Sequence, residues 1–582
     1  MATFVSALDS FAGISKFGEN GFPEYKWDPN IQEQILQFFF QLVRCDSDRV
    51  EELGNILHSI LTKLEHPIKY RDEEIKRVEC ISLLFRMIGH TRDIIHGKGE
   101  YTLSYMMLWT WYQSFPDLAL FALTTFVTPF KQDEFPIEEH PYGSWKDIKY
   151  FANYCKNHGA EVDHPLIQLC IQLTNNQIMD DLEKWNHYSG SPTYKNNISL
   201  CAKWAPRENS QFSWLFKELA KECYGNYGYF STALSKDSYN RALKKSYTYY
   251  RKTLSILNRY LDTVQIHQCG KEWSSINPNN ITSITLSKQK KAFLNIDKKG
   301  EQRSDNLDRI QCADNFKRYI ESRVKSGQSI KGKRVGLPDM TKQALDLLSN
   351  GSNLIEQQLL NAQWKDNASQ NGCLEKMIAI VDTSGSMEGD PLLCAIALGI
   401  RIAEKSLLGK RVITFSENPK WHNLDECSDF ISMVGCLRNA SWGMNTNFEA
   451  VLTMILKALI EKKVSPEEAS GITLTILSDM QIDQSSDENI SSMYELISKS
   501  YRSYGYEPPH ILFWNLRSTD GFPSLSSQEN MSMMSGFSPS LLNAFCEKGV
   551  EALKGATPWN TMVDILLNER YDPLAKMAET AL

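Results

Sequence analysis

At 582 residues and 66.6 kDa the chain is longer than one hydrophobic core usually organises, so two or more domains are expected. A composition of 42% hydrophobic and 23% charged residues excludes a mostly disordered chain, a coiled-coil rod and a multi-pass membrane protein. The net charge of −7 excludes a uniformly basic nucleic-acid binder, though not a local basic patch. The 13 cysteines include no C-x-x-C pair, which fits reduced thiols in a cytosol, and the first residues lack the basic and apolar regions of a signal peptide.

In chain order, the first 230 or so residues read as successive helices. Asp28-Pro29 is expected to cap a run in which Ile31, Ile35, Leu36, Phe39, Leu42 and Val43 recur at spacings of three and four. The most apolar stretch, from Tyr101 to Phe130, is interrupted by Gln113, Pro116 and Asp117, which predicts two buried helices and no membrane span. Asp163-His-Pro165 opens another helix through Leu166, Ile167, Leu169, Cys170 and Leu173. Such helices, joined by short loops without strand patterning, suggest helical pairs stacked as a solenoid or ring.

Residues 231–340 hold 22 Lys and Arg against 10 Asp and Glu, a balance of +12 between two acidic flanks. Lys244, Lys245, Arg251 and Lys252, with Lys331, Lys333 and Arg334, are candidate contacts to RNA phosphates. Tyr247, Tyr249 and Tyr250 would suit base stacking and would equally suit a core, and a run of this charge also reads as solvated helix faces. From about 262 to 340 the helical pattern weakens, which predicts long loops or a mobile insert.

Near residue 374 the period changes. Residues 376–381, 411–416, 472–477 and 510–515 are short apolar runs of the kind buried on both faces of a parallel sheet. Helices are expected between them, from Asp390-Pro391 to Ser406, from Asn447 to Lys462, and from Ser538-Pro539 to about Lys548. The alternation predicts a doubly wound α/β domain over 371–582, following a helical-repeat domain over 1–370.

The first of these strands ends in Asp382-Thr-Ser384-Gly-Ser386, and two further loops, Gly443-Met-Asn-Thr446-Asn447 and Leu477-Ser478-Asp479, belong at the same sheet edge. Hydroxyls of Ser384, Ser386 and Thr446 with the carboxylates of Asp382 and Asp479 suit a hard cation, Mg²⁺ or Mn²⁺. Neutral direct ligands would leave the ion electrophilic toward a carboxylate or phosphate from a partner. The alternative is that the serines cap a helix and Asp382 accepts backbone donors. Cys155, His158, His164 and Cys170 offer four zinc-ligand types within 16 residues, but structural zinc sites place their pairs in turns and Cys170 belongs to an apolar helix, so no zinc site is expected. The sequence has no Walker loop, G-x-S-x-G elbow or H-E-x-x-H helix, and no enzymatic activity is expected.

The D-x-S-x-S loop with Thr446 and Asp479 resembles the metal-ion-dependent adhesion site of von Willebrand factor A domains. Thr91-Arg-Asp-Ile-Ile-His-Gly-Lys-Gly-Glu100, Tyr142-Gly-Ser-Trp-Lys-Asp147, Ser199-Leu-Cys-Ala-Lys-Trp-Ala-Pro-Arg-Glu208 and Met534-Ser-Gly-Phe-Ser-Pro539 resemble the domain-of-unknown-function family 2828. That family occurs in plants, amoebae and large DNA viruses and is similar to TROVE proteins such as the Ro autoantigen. The resemblance implies a ring of helical repeats closed by the A domain and a non-enzymatic RNA-binding or ribonucleoprotein scaffold. Its partners would be structured or single-stranded RNA and a protein offering a carboxylate to the metal. A cytoplasmic setting is implied, or a virion if the source is such a virus. The alternative is a protein-assembly scaffold that binds no RNA.

Overall fold

In the computed structural model, the described residues are 15–18, 20–67, 71–131, 138–188, 198–225, 233–349, 351, 353–415, 418–438, 447–469, 471–482, 493–546, 553 and 555–581. The architecture is α followed by α/β: helices run to Ala368, and a six-stranded sheet begins at Met377.

Local chemistry sets the helix boundaries. Asn30, not Asp28, caps the Ile31–Gln41 helix by accepting from Gln32 and Glu33, while Asp28 accepts from the Asn30 N–H at 2.7 Å. The apolar 101–130 stretch does divide in two, into Thr102–Ser114 and Pro116–Thr125, because Pro116 can start a helix but not continue one. Pro165–Tyr188 begins where the sequence places it.

The 262–340 segment departs from expectation. It contains the helices Val264–Gly270, Ser283–Phe293 and Leu307–Lys325. These enclose a second hydrophobic core of Ile276, Ile281, Leu286, Phe293, Phe316 and Ile320, with Leu359 from the Leu354–Ala368 helix. Phe293 and Phe316 stack with centroids 4.6 Å apart and planes 2° from parallel. Its sequence is polar because its outer faces are solvated, not because a core is missing.

The sheet strands are β1 (Met377–Asp382), β2 (Arg411–Phe415), β3 (Lys420–Asn423), β4 (Thr473–Ser478), β5 (His510–Asn515) and β6 (Met531–Ser535). Their order is β6-β5-β4-β1-β2-β3, with every pairing parallel except β2 with β3. The order reverses between β1 and β4, and such a switch point opens a crevice at the carboxyl ends of the two strands. β3 and β6 are additions to the four strands read from sequence. The helix after β1 is Asp390–Lys405, opened by Gly389 at φ +98 with Asp390 as its first residue. The segment from Pro539 forms a 3-10 turn to Leu542 and a short helix, Asn543–Cys546; residues 547–552 lie outside the described residues.

Both ends of the helical series meet the sheet domain. Ile31–Gln41 packs on β6, and Leu337–Ser349 packs on Asp390–Lys405. The C-terminal helices Pro558–Leu566 and Asp572–Ala581 fold back on the Arg71–Arg92 helix.

Candidate functional site

β1 delivers Asp382 and β4 delivers Ser478-Asp479 to the two sides of the switch point. Asp382 is fully buried, and its two oxygens accept from the Ser384 N–H at 2.8 Å and the Ser478 hydroxyl at 2.6 Å. Ser384 and Ser386 turn their hydroxyls to within 3.1 Å of each other. Asp479 is buried beside them; one carboxylate oxygen accepts from the Gln481 N–H at 3.3 Å, and the other, Oδ2, has no hydrogen-bond partner among the described residues. Thr446 lies outside the described residues.

Electrostatically the pair is only partly compensated: hydrogen bonds from Ser386 and Gln481 and the charge of Arg517 act on Asp479, but burial outweighs them. Burial and then the charge of Asp479 push the Asp382 carboxyl up to about 7, and burial also raises Asp479. Two buried carboxyls, one with an orphaned oxygen, next to paired hydroxyls form a set that a small divalent cation would fit. Asp382 does accept a backbone donor, as the helix-capping alternative requires, but that alternative leaves Asp479 unexplained. Among the described residues no group of three or more His, Cys, Asp or Glu side chains gathers as a metal site, so hydroxyls would have to complete this one. The site opens to solvent at Gly385 and Ser386, where the exposed Arg517 donates to the Ser386 carbonyl.

The candidate RNA contacts lie on different elements. Lys244, Lys245, Arg251 and Lys252 are exposed on Lys236–Tyr260, a helix whose opposite face buries Ala242, Ser246, Tyr250, Leu254 and Leu257. Tyr250 thus belongs to the core, whereas Tyr249 is 40% exposed. Arg251 pairs with Glu208 at 3.1 Å. Lys331 and Lys333 are exposed, with the Lys331 ammonium on the Asn279 carbonyl at 2.6 Å. Arg334 is committed elsewhere: its guanidinium donates to the Ile94 carbonyl and to Gln370, tying the helical segments together.

Sequence reasoning missed a buried polar junction built from two of the motifs that carried the family resemblance. Arg92 and Asp147 form a fully buried bidentate pair at 2.7 and 2.8 Å. Asp93 takes two bonds from Arg570, also at 2.7 and 2.8 Å, and one from Tyr571 at 3.2 Å. Lys98 donates to the carbonyls of Phe39 and Leu42 and to the Ser535 hydroxyl at the end of β6, and Glu100 pairs with Arg44. Burial drives the Lys98 ammonium well below its usual range. Past the end of the Arg71–Arg92 helix the chain doubles back through Gly97 and Gly99, and the Lys98 and Glu100 N–H groups donate to the His90 and Thr91 carbonyls. A Cβ on Gly97 would come within 2.0 Å of the His90 carbonyl. The signal in the sequence was a run of charges beside glycines inside an apolar region; the partners lie too far along the chain to read.

Comparison with known proteins gives two family matches. Residues 164–370 match a domain of unknown function (DUF2828), and residues 376–579 match another (DUF7788). The first supports the likeness read from Ser199 to Glu208. The chain is 29% identical over 473 residues to an uncharacterized protein, L728, of Acanthamoeba polyphaga mimivirus, over 79% of this chain and 76% of that protein. No helix among the described residues is long and apolar enough to cross a membrane.

Proposed function

We propose, for a chain with a DUF2828 segment at 164–370 joined to a doubly wound domain, that the molecule is a non-enzymatic binding scaffold whose sheet edge holds a divalent cation. Asp382, Ser384, Ser386 and Asp479 would hold Mg²⁺ or Mn²⁺, with Thr446 as a further ligand. The ion would supply an electrophilic position for an acidic group on a partner, and Arg517 at the rim would favour the same anion. The carrying observation is the buried Oδ2 of Asp479, unpartnered beside a second buried carboxyl. The strand order and loop positions support a von Willebrand factor A-type domain. The contacts of both ends of the helical series with that domain support a TROVE-like closed ring.

The full chain, stripped with a chelator and titrated with Mg²⁺ or Mn²⁺, is expected to melt several degrees higher. Ligand at a hundred times its Kd adds about 2.7 kcal/mol to the native state. Asp382→Ala should abolish the rise; a rise that persists in that variant excludes these ligands.

A second reading, RNA binding by the helical part, is favoured by the exposed cations of Lys236–Tyr260. Each phosphate neutralised contributes about −0.7 to the slope of log affinity against log salt for single strands. Replacing Lys244, Lys245, Arg251 and Lys252 with Ala should therefore flatten that slope by up to about 2.8. Fluorescence anisotropy with the full chain at several salt concentrations measures it. Absence of binding at low salt would leave the protein-assembly scaffold as the better reading.

A further inference from the structure

A second cationic cluster lies where the Trp145–Asn157 helix meets the Cys201–Trp204 turn. Lys146, Lys149 and Tyr150 share one face of the first helix, at spacings of three and four. The Lys149 ammonium lies 5.2 Å from the Trp204 ring centroid, 5.6 Å from Phe212 and 5.7 Å from Tyr150. Lys203 approaches the Trp204 ring at 5.6 Å, and Lys146 approaches Tyr150 at 5.3 Å. Burial is the largest cause that lowers Lys149 to about 8, and Arg207, three residues past the turn, is close enough to add its charge to that of Lys146 in the same direction.

No carboxylate of the described residues lies within ion-pair distance of Lys146, Lys149, Lys203 or Arg207. Nearby acids are occupied: Asp147 by Arg92 and Glu208 by Arg251. The segment is held firmly. Ser199 donates twice to Asp181, and Asn258 donates to the Ala202 carbonyl at 2.8 Å. Like charges gathered on a rigid frame and half withdrawn from water repel one another, and an anion between them would relieve that repulsion. The aromatic rings narrow the anion. Tyr150 is 38% exposed at the edge of the cluster, with Phe212 edge-on to it at 5.1 Å. A solvent-facing ring beside a row of cations suits an unstacked base attached to its phosphate, which a duplex does not offer.

We infer that Lys146, Lys149, Lys203 and Arg207 bind the backbone of single-stranded RNA, with a base against Tyr150. The inference rests on the RNA reading and gives it a site that adjoins the Lys236–Tyr260 helix, whose Arg251 pairs with Glu208 beside Arg207.

The test uses the full chain and a fluorescein-labelled, mixed-sequence RNA of about 15 nucleotides, alone and as a duplex. Lys149→Met with Lys203→Met keeps the stems that pack on Trp204 and removes two charges. It should weaken single-strand binding about tenfold or more and flatten the salt slope by about 1.4. Tyr150→Ala should weaken binding about 5- to 150-fold, the range for one stacked base, while Tyr150→Phe binds as the parent does. Parent binding that is unchanged in the double variant and in Tyr150→Ala overturns the site and leaves the RNA reading standing. Duplex bound as tightly as single strand, with the same dependence on Lys149 and Lys203, overturns the single-strand assignment. Failure of the parent to bind either RNA at low salt overturns the RNA reading and this inference together.

Discussion

Arg570→Met is expected to destabilise the protein by about 3–5 kcal/mol, because it strands a charge in the interior. Asp93 has no exposed surface, and Arg570 supplies two of its charge-assisted hydrogen bonds. Burial alone would raise the Asp93 carboxyl; the bonds and charge of Arg570 outweigh it and hold the group below its ordinary value. The sign of the pH effect follows. In the parent this carboxylate contributes stability above its unfolded pKa and loses it as pH falls through the lower folded value. Without Arg570 the buried carboxyl titrates upward, so the variant's deficit should shrink between pH 7 and pH 4.5. Adding Asp93→Asn should recover part of the loss, since the pair is then removed together. Chemical denaturation followed by circular dichroism measures all three. An Arg570→Met deficit under about 1 kcal/mol at pH 7 would show that the pair is not buried as described.

The second large effect is local. Phe316→Ala removes one ring of a parallel stack from a small core and should cost that core about 3–5 kcal/mol. The main core contains neither Phe293 nor Phe316. Limited proteolysis should therefore cut preferentially within about 264–330, while the near-ultraviolet signal of the buried Trp514 on β5 persists. Loss of that signal together with the 264–330 segment would mean that the two cores unfold as one unit.

What the sequence disclosed, and what it hid, follows from physical signal strength. β1, β2, β4 and β5 are dense in isoleucine, valine, threonine and aromatic residues, and such runs are legible without context. β6 reads Met-Ser-Met-Met-Ser; it has no β-branched residue and is a strand because β5 pairs with it. β3 is four residues at an antiparallel edge, with Trp421 half exposed. The second core was hidden because its nine buried apolar residues between Ile276 and Ile330 are diluted among lysines and asparagines. At the sheet edge, Asp382 and Asp479 were legible because each follows a recognisable strand. The orphaned oxygen was not, since it depends on how Ser478 and Gln481 distribute their donors. The cluster around Lys149 was invisible for a related reason. Its residues come from separate segments, the Trp145–Asn157 helix and the stretch from Lys203 to Phe212.

The return of Arg570 and Tyr571 to Asp93 also bears on how the chain is made. Asp93 and Arg570 are 477 positions apart, and at ribosomal speeds of about 5–20 residues per second their emergence is separated by roughly 24 to 95 s. Throughout that interval the Arg71–Arg92 helix lacks the C-terminal helices that cover it, and its terminal carboxylate lacks its cation. Vectorial synthesis therefore cannot finish the N-terminal core when that segment appears. The packing of the Arg71–Arg92 helix is completed only once residues 558–581 have been made and have docked on it.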